Sequence, residues 1–386
     1  MAQKNRFRKF IGDLHLWLGI GSGLVLFVVC LTGTILIYQK EITDWLNQNA
    51  HHVEISEKRM AIDDIIAKTA HYTDKRITGF NIPAQEGKAI SIYFAPEKGQ
   101  RRGKTLLVNP YTAEILPESS KAAKAFFMTN FKLHRWLLLD TKIGRPIVGW
   151  ATVCFVIICI SGLILWIPKK WKNWKQGFKI KTNGNWYRLN YDLHNTLGFY
   201  SLILLLIMAL TGLCWSFGWY RDGLSAVLQA RVLSRSEAEH IKFESIPGQE
   251  AASYETLFEA AQTAIGYQGE SSVRFPKNPG GYITVSTYNP KWYKAKAADQ
   301  IMLHPQTAEV LKVNRFSDKA FNEKIAALIK PLHLGDIYGQ LSKFLYFIAS
   351  LIATSLPITG VIIWLKKLKI NRKTKKKNAT KAFASV

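Results

Sequence analysis

Four uncharged apolar blocks decide most of what this chain can fold into. They run from about Leu14 to Tyr38, Ile147 to Ile167, Leu197 to Trp215 and Phe344 to Leu365, and no Asp, Glu, Lys or Arg interrupts any of them. Each is close to the roughly 20 residues a helix needs to cross about 30 Å of hydrocarbon. Backbone polar groups in lipid must be satisfied within the segment, which favours the helix. The blocks therefore predict four transmembrane helices rather than a soluble helical core.

The distribution of charge orients them. The formal charge of the 386 residues is +25, a value that by itself would suit a nucleic-acid binder. Most of it sits in three segments that contain no acidic residue: Lys4 to Lys9, Lys169 to Arg188 and Lys366 to Lys381. By the positive-inside rule, both termini and the short middle loop are cytoplasmic and the two long connections lie outside. Anionic lipid of the inner leaflet accounts for these basic segments, so no nucleic-acid partner is expected. The first block is too long for a cleaved secretory signal, and no small-x-small site follows it before Lys40, so it is expected to stay as a helix.

The chain also repeats itself. Each long connection predicts one helix, at Ile62 to Ala70 and near Tyr254 to Ala264, followed by three short β-rich runs. The runs are Arg76 to Phe80, Ala89 to Phe94 and Thr105 to Val108 in the first, and Ser272 to Phe275, Tyr282 to Thr287 and Gln300 to Leu303 in the second. Matching phrases close both sets, NPYTAEIL at Asn109 to Leu116 and HPQTAEVL at His304 to Leu311. Such internal matching points to a duplicated helix, α+β lobe, helix unit. The two halves enter the membrane in the same direction, so the implied pseudo-two-fold axis lies along the membrane normal.

Four histidines follow the repeat. His15 and His194 open spans one and three, which run outward, so both belong near the cytoplasmic face. His134 and His333 precede spans two and four, which run inward, so both belong at the outer face. Each span also holds a hydroxyl residue followed by glycine: Thr32-Gly33, Ser161-Gly162, Thr211-Gly212 and Thr359-Gly360. Two imidazoles facing one another across a bundle axis are a usual axial set for b-type haem, which needs no covalent attachment motif. The expectation is two haem b groups, the inner one on His15 and His194 and the outer one on His134 and His333. Gly33 and Gly212 would line the outer group, and Gly162 and Gly360 the inner one. Gly19 and Gly198, four residues after a histidine, would make room beside the inner group. Ordinary small-residue helix packing is the competing account of these glycines.

Other residues narrow the reading. Cys30, Cys154, Cys159 and Cys214 all lie inside the spans, so apolar packing is expected of them, and no CxxCH is present for c-type haem. Gly19, Gly21 and Gly23 imitate a dinucleotide-binding fragment, but no strand precedes them. His51, His52, His71, His240 and His304 have no matched partners and read as surface or strand residues. Gly144-Arg145-Pro146 is expected to break the helix, which sets His134 on a separate interfacial segment. Arg188 inside and Arg135 or Arg145 outside serve either haem propionates or the interface. Trp219, Tyr220, Trp292 and Tyr293 line an outer pocket or pack a lobe. A proton relay or a histidine-lined metal transporter remains as an alternative, as does a binding or regulatory module whose histidines are structural.

The lobes with their NPxTAE-like ends, together with LHLWLGI, LHRWLL, LTG and ISGLILWI, resemble the PepSY-associated transmembrane family of bacterial inner-membrane proteins, from about Arg6 to Lys367. Within that family the chain is most similar to iron-regulated ferric siderophore reductases. The resemblance implies a membrane α+β fold, with a four-helix bundle and two periplasmic PepSY-like lobes. It also implies electron transfer across the inner membrane to a ferric siderophore, which releases Fe(II). The donor would be a quinol or a separate reductase, since no flavin or nicotinamide domain remains to be placed. The corresponding boundaries are 1–49 for the cytoplasmic amino terminus and first helix, 50–125 for the first lobe, and 126–168 for an interfacial segment and second helix. They continue with 169–190 for the basic loop, 191–220 for the third helix, 221–322 for the second lobe, 323–365 for an interfacial segment and fourth helix, and 366–386 for the basic tail.

Overall fold

A computed structural model describes residues 2–47, 52–56, 58–70, 72–97, 103–117, 120–233, 243–244, 246–276, 280–291 and 297–383. His51, His71, His240, Trp292 and Tyr293 lie outside the described residues.

Each apolar block becomes a helix longer than itself. Span one is Ala2–Ile37, span two Thr141–Trp166 and span four Gly339–Phe383. Span three is assembled from Trp186–Asp192, a π-helical turn at Leu193–Leu197, and Gly198–Ser216. Four stretches, Arg6–Ile37, Thr141–Trp166, Trp186–Ser216 and Gly339–Arg372, are long and apolar enough to cross a membrane, and this is a multi-pass membrane protein. Spans one and four pack together, as do one and two, two and three, and three and four. The four cysteines are free thiols within the spans, and Cys159 and Cys214 are buried in apolar clusters.

The helix of span two does not break at Gly144-Arg145-Pro146, as the sequence suggests. It starts at Thr141, capped by the Asp140 carboxylate on the Lys142 N–H at 2.8 Å, and continues through Pro146. The break falls earlier, at Leu137 and Leu138, whose φ angles of 56° and 59° are left-handed. Gly144 is needed for the close turn that follows, because a Cβ there would stand 2.0 Å from the Trp136 carbonyl oxygen. His134 does lie on a separate helix, Lys121–Trp136, and His333 on its counterpart, Phe321–Leu334.

The strands of both lobes form one eight-stranded antiparallel sheet in the order β4-β3-β2-β1-β5-β6-β7-β8. The strands are β1 Ile77–Ile82, β2 Ile90–Phe94, β3 Thr105–Val108, β4 Ile115–Leu116, β5 Ser271–Arg274, β6 Ile283–Tyr288, β7 Ala298–Leu303 and β8 Val310–Asn314. The predicted lobes are therefore fused rather than separate, with Phe80 of β1 opposite Val273 of β5. Helix Ile62–Ala70 turns Ile62, Ile65, Ile66 and Thr69 inward, and helix Tyr254–Ile265 turns Leu257, Ala261 and Ile265 inward. This 3.6-residue spacing makes one apolar stripe per helix, and both stripes enter a core shared with Phe80, Ile92, Val285 and Leu303. Burying a side chain of that size contributes roughly 1.5–3 kcal/mol.

The two helices also cap each other. Asp63 accepts from the Tyr254 and Glu255 N–H groups at 2.9 Å, and Glu255 accepts from the Ile62 N–H at 2.7 Å. Each helix thus receives a carboxylate at its N-terminus, where unpaired N–H groups and the dipole favour negative charge.

The matched closing phrases are hairpin loops. Asn109 Oδ1 and His304 Nδ1 accept from the backbone two residues on, at 2.9 and 3.1 Å, and Ala113 and Ala308 adopt φ of 61° and 60°. The chain then returns as β4 and β8, two strands that the sequence reading did not anticipate. His304 is buried, not a surface residue, with Nε2 on the Glu244 carbonyl at 3.0 Å.

Candidate functional site

The bundle brings the four sequence-matched histidines together as two pairs. His15 and His194 have ring centres 6.4 Å apart with planes at 86°, and His134 and His333 have ring centres 6.3 Å apart with planes at 52°. Span one passes both levels. His15 lies on it, and Gly33, eighteen residues later, touches His134. At 1.5 Å per residue the levels are separated by about 27 Å.

Each imidazole rests on the glycine of a hydroxyl-glycine pair. A Cβ on Gly33 would stand 3.0 Å from Cε1 of His134, and one on Gly212 3.1 Å from Cε1 of His333. On Gly162 and Gly360 it would stand 3.3 and 3.4 Å from Cε1 of His15 and His194. The sequence reading assigns these four glycines to the face of a cofactor; in the structure each faces an imidazole ring. Of the two remaining glycines, Gly198 faces Leu356 at 3.8 Å and Gly19 faces open space.

The hydroxyl residue beside each glycine supplies the second half of the seat. His15 Nδ1 lies 2.9 Å from Ser161 Oγ, and His194 Nδ1 lies 2.8 Å from Thr359 Oγ1. Both hydroxyls also bond back to their own helix, Ser161 to the Ile158 carbonyl at 3.0 Å and Thr359 to the Leu356 carbonyl at 3.1 Å. A hydroxyl has one proton, so a group committed to a carbonyl can only accept from the ring. The outer histidines reach the carbonyls directly, His134 Nδ1 to Val29 at 2.8 Å and His333 Nδ1 to Met208 at 3.0 Å. A carbonyl only accepts, so Nδ1 carries the proton in every ring and Nε2 keeps its lone pair. Among the described residues, no hydrogen bond engages any of the four Nε2 atoms.

That chemistry suits ligation, and the spacing can be tested. Two imidazole–metal bonds of about 2.0–2.1 Å, with about 1.1 Å from each nitrogen to its ring centre, place facing ring centres roughly 6.3 Å apart. Both observed separations are of that size. Fixing the tautomer through Nδ1 is the usual outer support for such a ligand.

Three features of the site were not foreseen. His194 lies in the π-helical turn Leu193–Leu197, and single π turns occur often at functional sites. Trp215 packs its ring 5.0 Å from that of His333. The basic loop is fastened beside His194, with Trp166 Nε1 and Thr196 Oγ1 both donating to the Gly177 carbonyl at 3.1 Å. The three arginines weighed for propionates or the interface each have a partner within the chain. Arg188 pairs with Asp192 at 3.0 Å, Arg145 donates to the Trp215 carbonyl, and Arg135 lies over the Phe131 and Trp136 rings. Tyr220 packs with Cys214 and Val232, and Trp219 is exposed.

No curated protein matches the sequence. The model of one family, described as the PepSY-associated TM region, matches residues 13–367 and so takes in all four histidines and both halves of the sheet. The chain belongs to the PepSY-associated TM family.

Proposed function

We propose that this chain is a di-haem b oxidoreductase of the bacterial inner membrane, which passes electrons from its cytoplasmic side to a periplasmic ferric siderophore and releases the iron as Fe(II). Both termini are then cytoplasmic, the sheet domain is periplasmic, and the two halves derive from one duplicated unit. The observation that carries the reading is the pair of matched histidine sets, each with proton-bearing Nδ1 anchored, Nε2 free and a spacing that fits one metal ion. His15 and His194 hold the inner group, and His134 and His333 the outer one. Haem bound there supplies one-electron chemistry, and an Fe(III) chelate with hard oxygen ligands loosens when its iron gains an electron.

The chain's own residues do the rest. The seats formed by Gly33, Gly162, Gly212 and Gly360 fix the rings, and the packed apolar span around Leu205, Ala349 and Ala353 keeps water and ions from the region between the pairs. The absence of charge along the spans suits electron passage between two fixed levels better than stepwise ion transport. The basic loop and tail hold anionic lipid, and the cytoplasmic donor is a quinol or a reductase.

The test is a pyridine haemochrome assay with reduced-minus-oxidised spectra on purified protein. Two b haems per chain are expected, with His15→Ala and His333→Ala each removing a different one. Colourless protein from haem-replete cells would overturn the reading and favour a PepSY-type binding module.

A further inference from the structure

A cavity of about 610 Å³ opens at the outer end of span one, beyond the histidine seats. Ile35, Tyr38, Ile42, Trp45, Phe126 and Phe347 give it an apolar, largely aromatic wall, and Thr34 and Glu41 complete it. Glu41 is the unusual member. Its Oε1 takes Lys343 Nζ at 2.5 Å and Gln340 Nε2 at 2.9 Å, while its Oε2 is buried without a hydrogen-bond partner among the described residues. Burial opposes charge on this carboxyl, but the bonds from Lys343 and Gln340 outweigh it and hold the group below its ordinary value, so it is an ionised acceptor. A buried acceptor left without a donor is costly, and a ligand hydroxyl would relieve it.

Two neighbours give the position meaning. On the polar side, Glu41 also lines a smaller cavity of about 200 Å³ with Lys40, Asp44, Asp336, Gln340 and Lys343. On the other, Thr34 follows Gly33, the residue on which the His134 ring rests. The site therefore places an apolar groove beside a carboxylate that has one unpartnered oxygen among the described residues, and next in sequence to the seat of an outer histidine.

We propose that this groove binds a membrane quinol, with its ring among the aromatic side chains, one hydroxyl donated to Glu41 Oε2, and its tail toward the lipid. The inference rests on the redox reading above and adds a reductant to it. A hydrophilic ferric chelate does not match an apolar wall, and a plain acyl chain brings no donor for Glu41. One quinol gives up two electrons and two protons as it becomes the quinone, which is enough to reduce two ferric chelates by one electron each. Glu41 takes each proton in turn and passes it to the polar cavity. The outer pair then draws on a reductant of its own, beside any supplied from the cytoplasmic side.

Binding separates this idea from activity. Decylphenol, decylanisole and dodecanol are titrated onto the purified full-length protein while tryptophan fluorescence is followed, with Trp45→Phe identifying the reporting residue. Decylphenol is expected to saturate the Trp45 signal and to bind about tenfold more tightly than decylanisole, which lacks the donor; Glu41→Gln abolishes that preference and Ile42→Trp fills the groove. Equal binding of decylphenol and decylanisole, or equal binding of dodecanol, would overturn the site in favour of ordinary lipid. Haem-free protein that still shows the Glu41-dependent preference would keep the site and remove the redox reading and the donor role with it. Haem-replete protein without the preference would remove the site alone.

Discussion

The inner and outer histidine pairs reach the same spacing by different means. Each inner ring hangs from a membrane span and leans on a hydroxyl of the next one, Ser161 or Thr359. Each outer ring hangs from the end of a separate helix and leans first on a main-chain carbonyl, Val29 or Met208, with the hydroxyl of Thr32 or Thr211 farther off at 3.5 and 3.2 Å. The inner tautomer therefore depends more on side chains that substitution can remove, and the outer one more on backbone that it cannot. The outer rings are also more tightly seated, with 3.0 and 3.1 Å to a Cβ built on glycine, against 3.3 and 3.4 Å inside.

The largest effect that would break this comparison is loss of a ligand. His134→Ala and His15→Ala are each expected to lower haem from two per chain to one, with the spectrum of the retained group unchanged. If both groups disappear together, the pairs are not independent sites. Next come the hydroxyls. Ser161→Ala and Thr359→Ala are expected to weaken retention of the inner group by about 10–100-fold, the usual scale for losing outer support of a metal ligand. Thr32→Ala and Thr211→Ala, tested in parallel by haem loss to apomyoglobin, should change outer retention far less. Equal effects at both levels would erase the distinction between hydroxyl and carbonyl anchoring.

The glycines offer a graded test. Gly33→Ala is expected to cost about 1–3 kcal/mol by overpacking against His134, whereas Gly360→Ala, at ordinary contact distance, should cost less than about 1 kcal/mol. Thermal unfolding followed by loss of each haem band would rank them. The smallest effect concerns the helices that carry the outer rings. Phe321–Leu334 ends on Gly335 at φ 73°, whereas Lys121–Trp136 ends on Leu137 at φ 56°. A left-handed position favours glycine by about 1 kcal/mol, so Leu137→Gly is expected to raise the melting temperature slightly.

Much of this was legible in the sequence, for physical reasons that differ by element. Uncharged runs of membrane length have one stable form, so the spans follow almost directly. The helices at Ile62–Ala70 and Tyr254–Ile265 were visible because their buried residues recur at helical spacing. The histidine pairs followed from span direction, since a residue before an inward helix and one at the start of an outward helix belong to opposite ends. What stayed hidden depends on contacts far apart in sequence. Nothing local in Ile77–Ile82 says that its partner is Ser271–Arg274, and nothing in DLHNTLG announces a π turn that DLHLWLG lacks. Pro146 misled because a proline in the second turn removes one main-chain hydrogen bond without ending this helix, while the true break uses two leucines at positive φ that no composition rule flags. The glycines were found for an incomplete reason, because a seat for a ring and a wall for a cofactor need the same missing side chain.

The pairing of β1 with β5 also governs how the protein is made. When β1 first leaves the membrane, its partner has not been synthesised, because spans two and three must be inserted before Ser271–Arg274 exists. Until then β1 offers an open edge of hydrogen-bonding groups, the kind of template on which chains aggregate. The first four strands cannot complete their sheet on schedule. Biosynthesis thus has a waiting period built into it, no shorter than the time needed to synthesise the chain between Ile82 and Ser271.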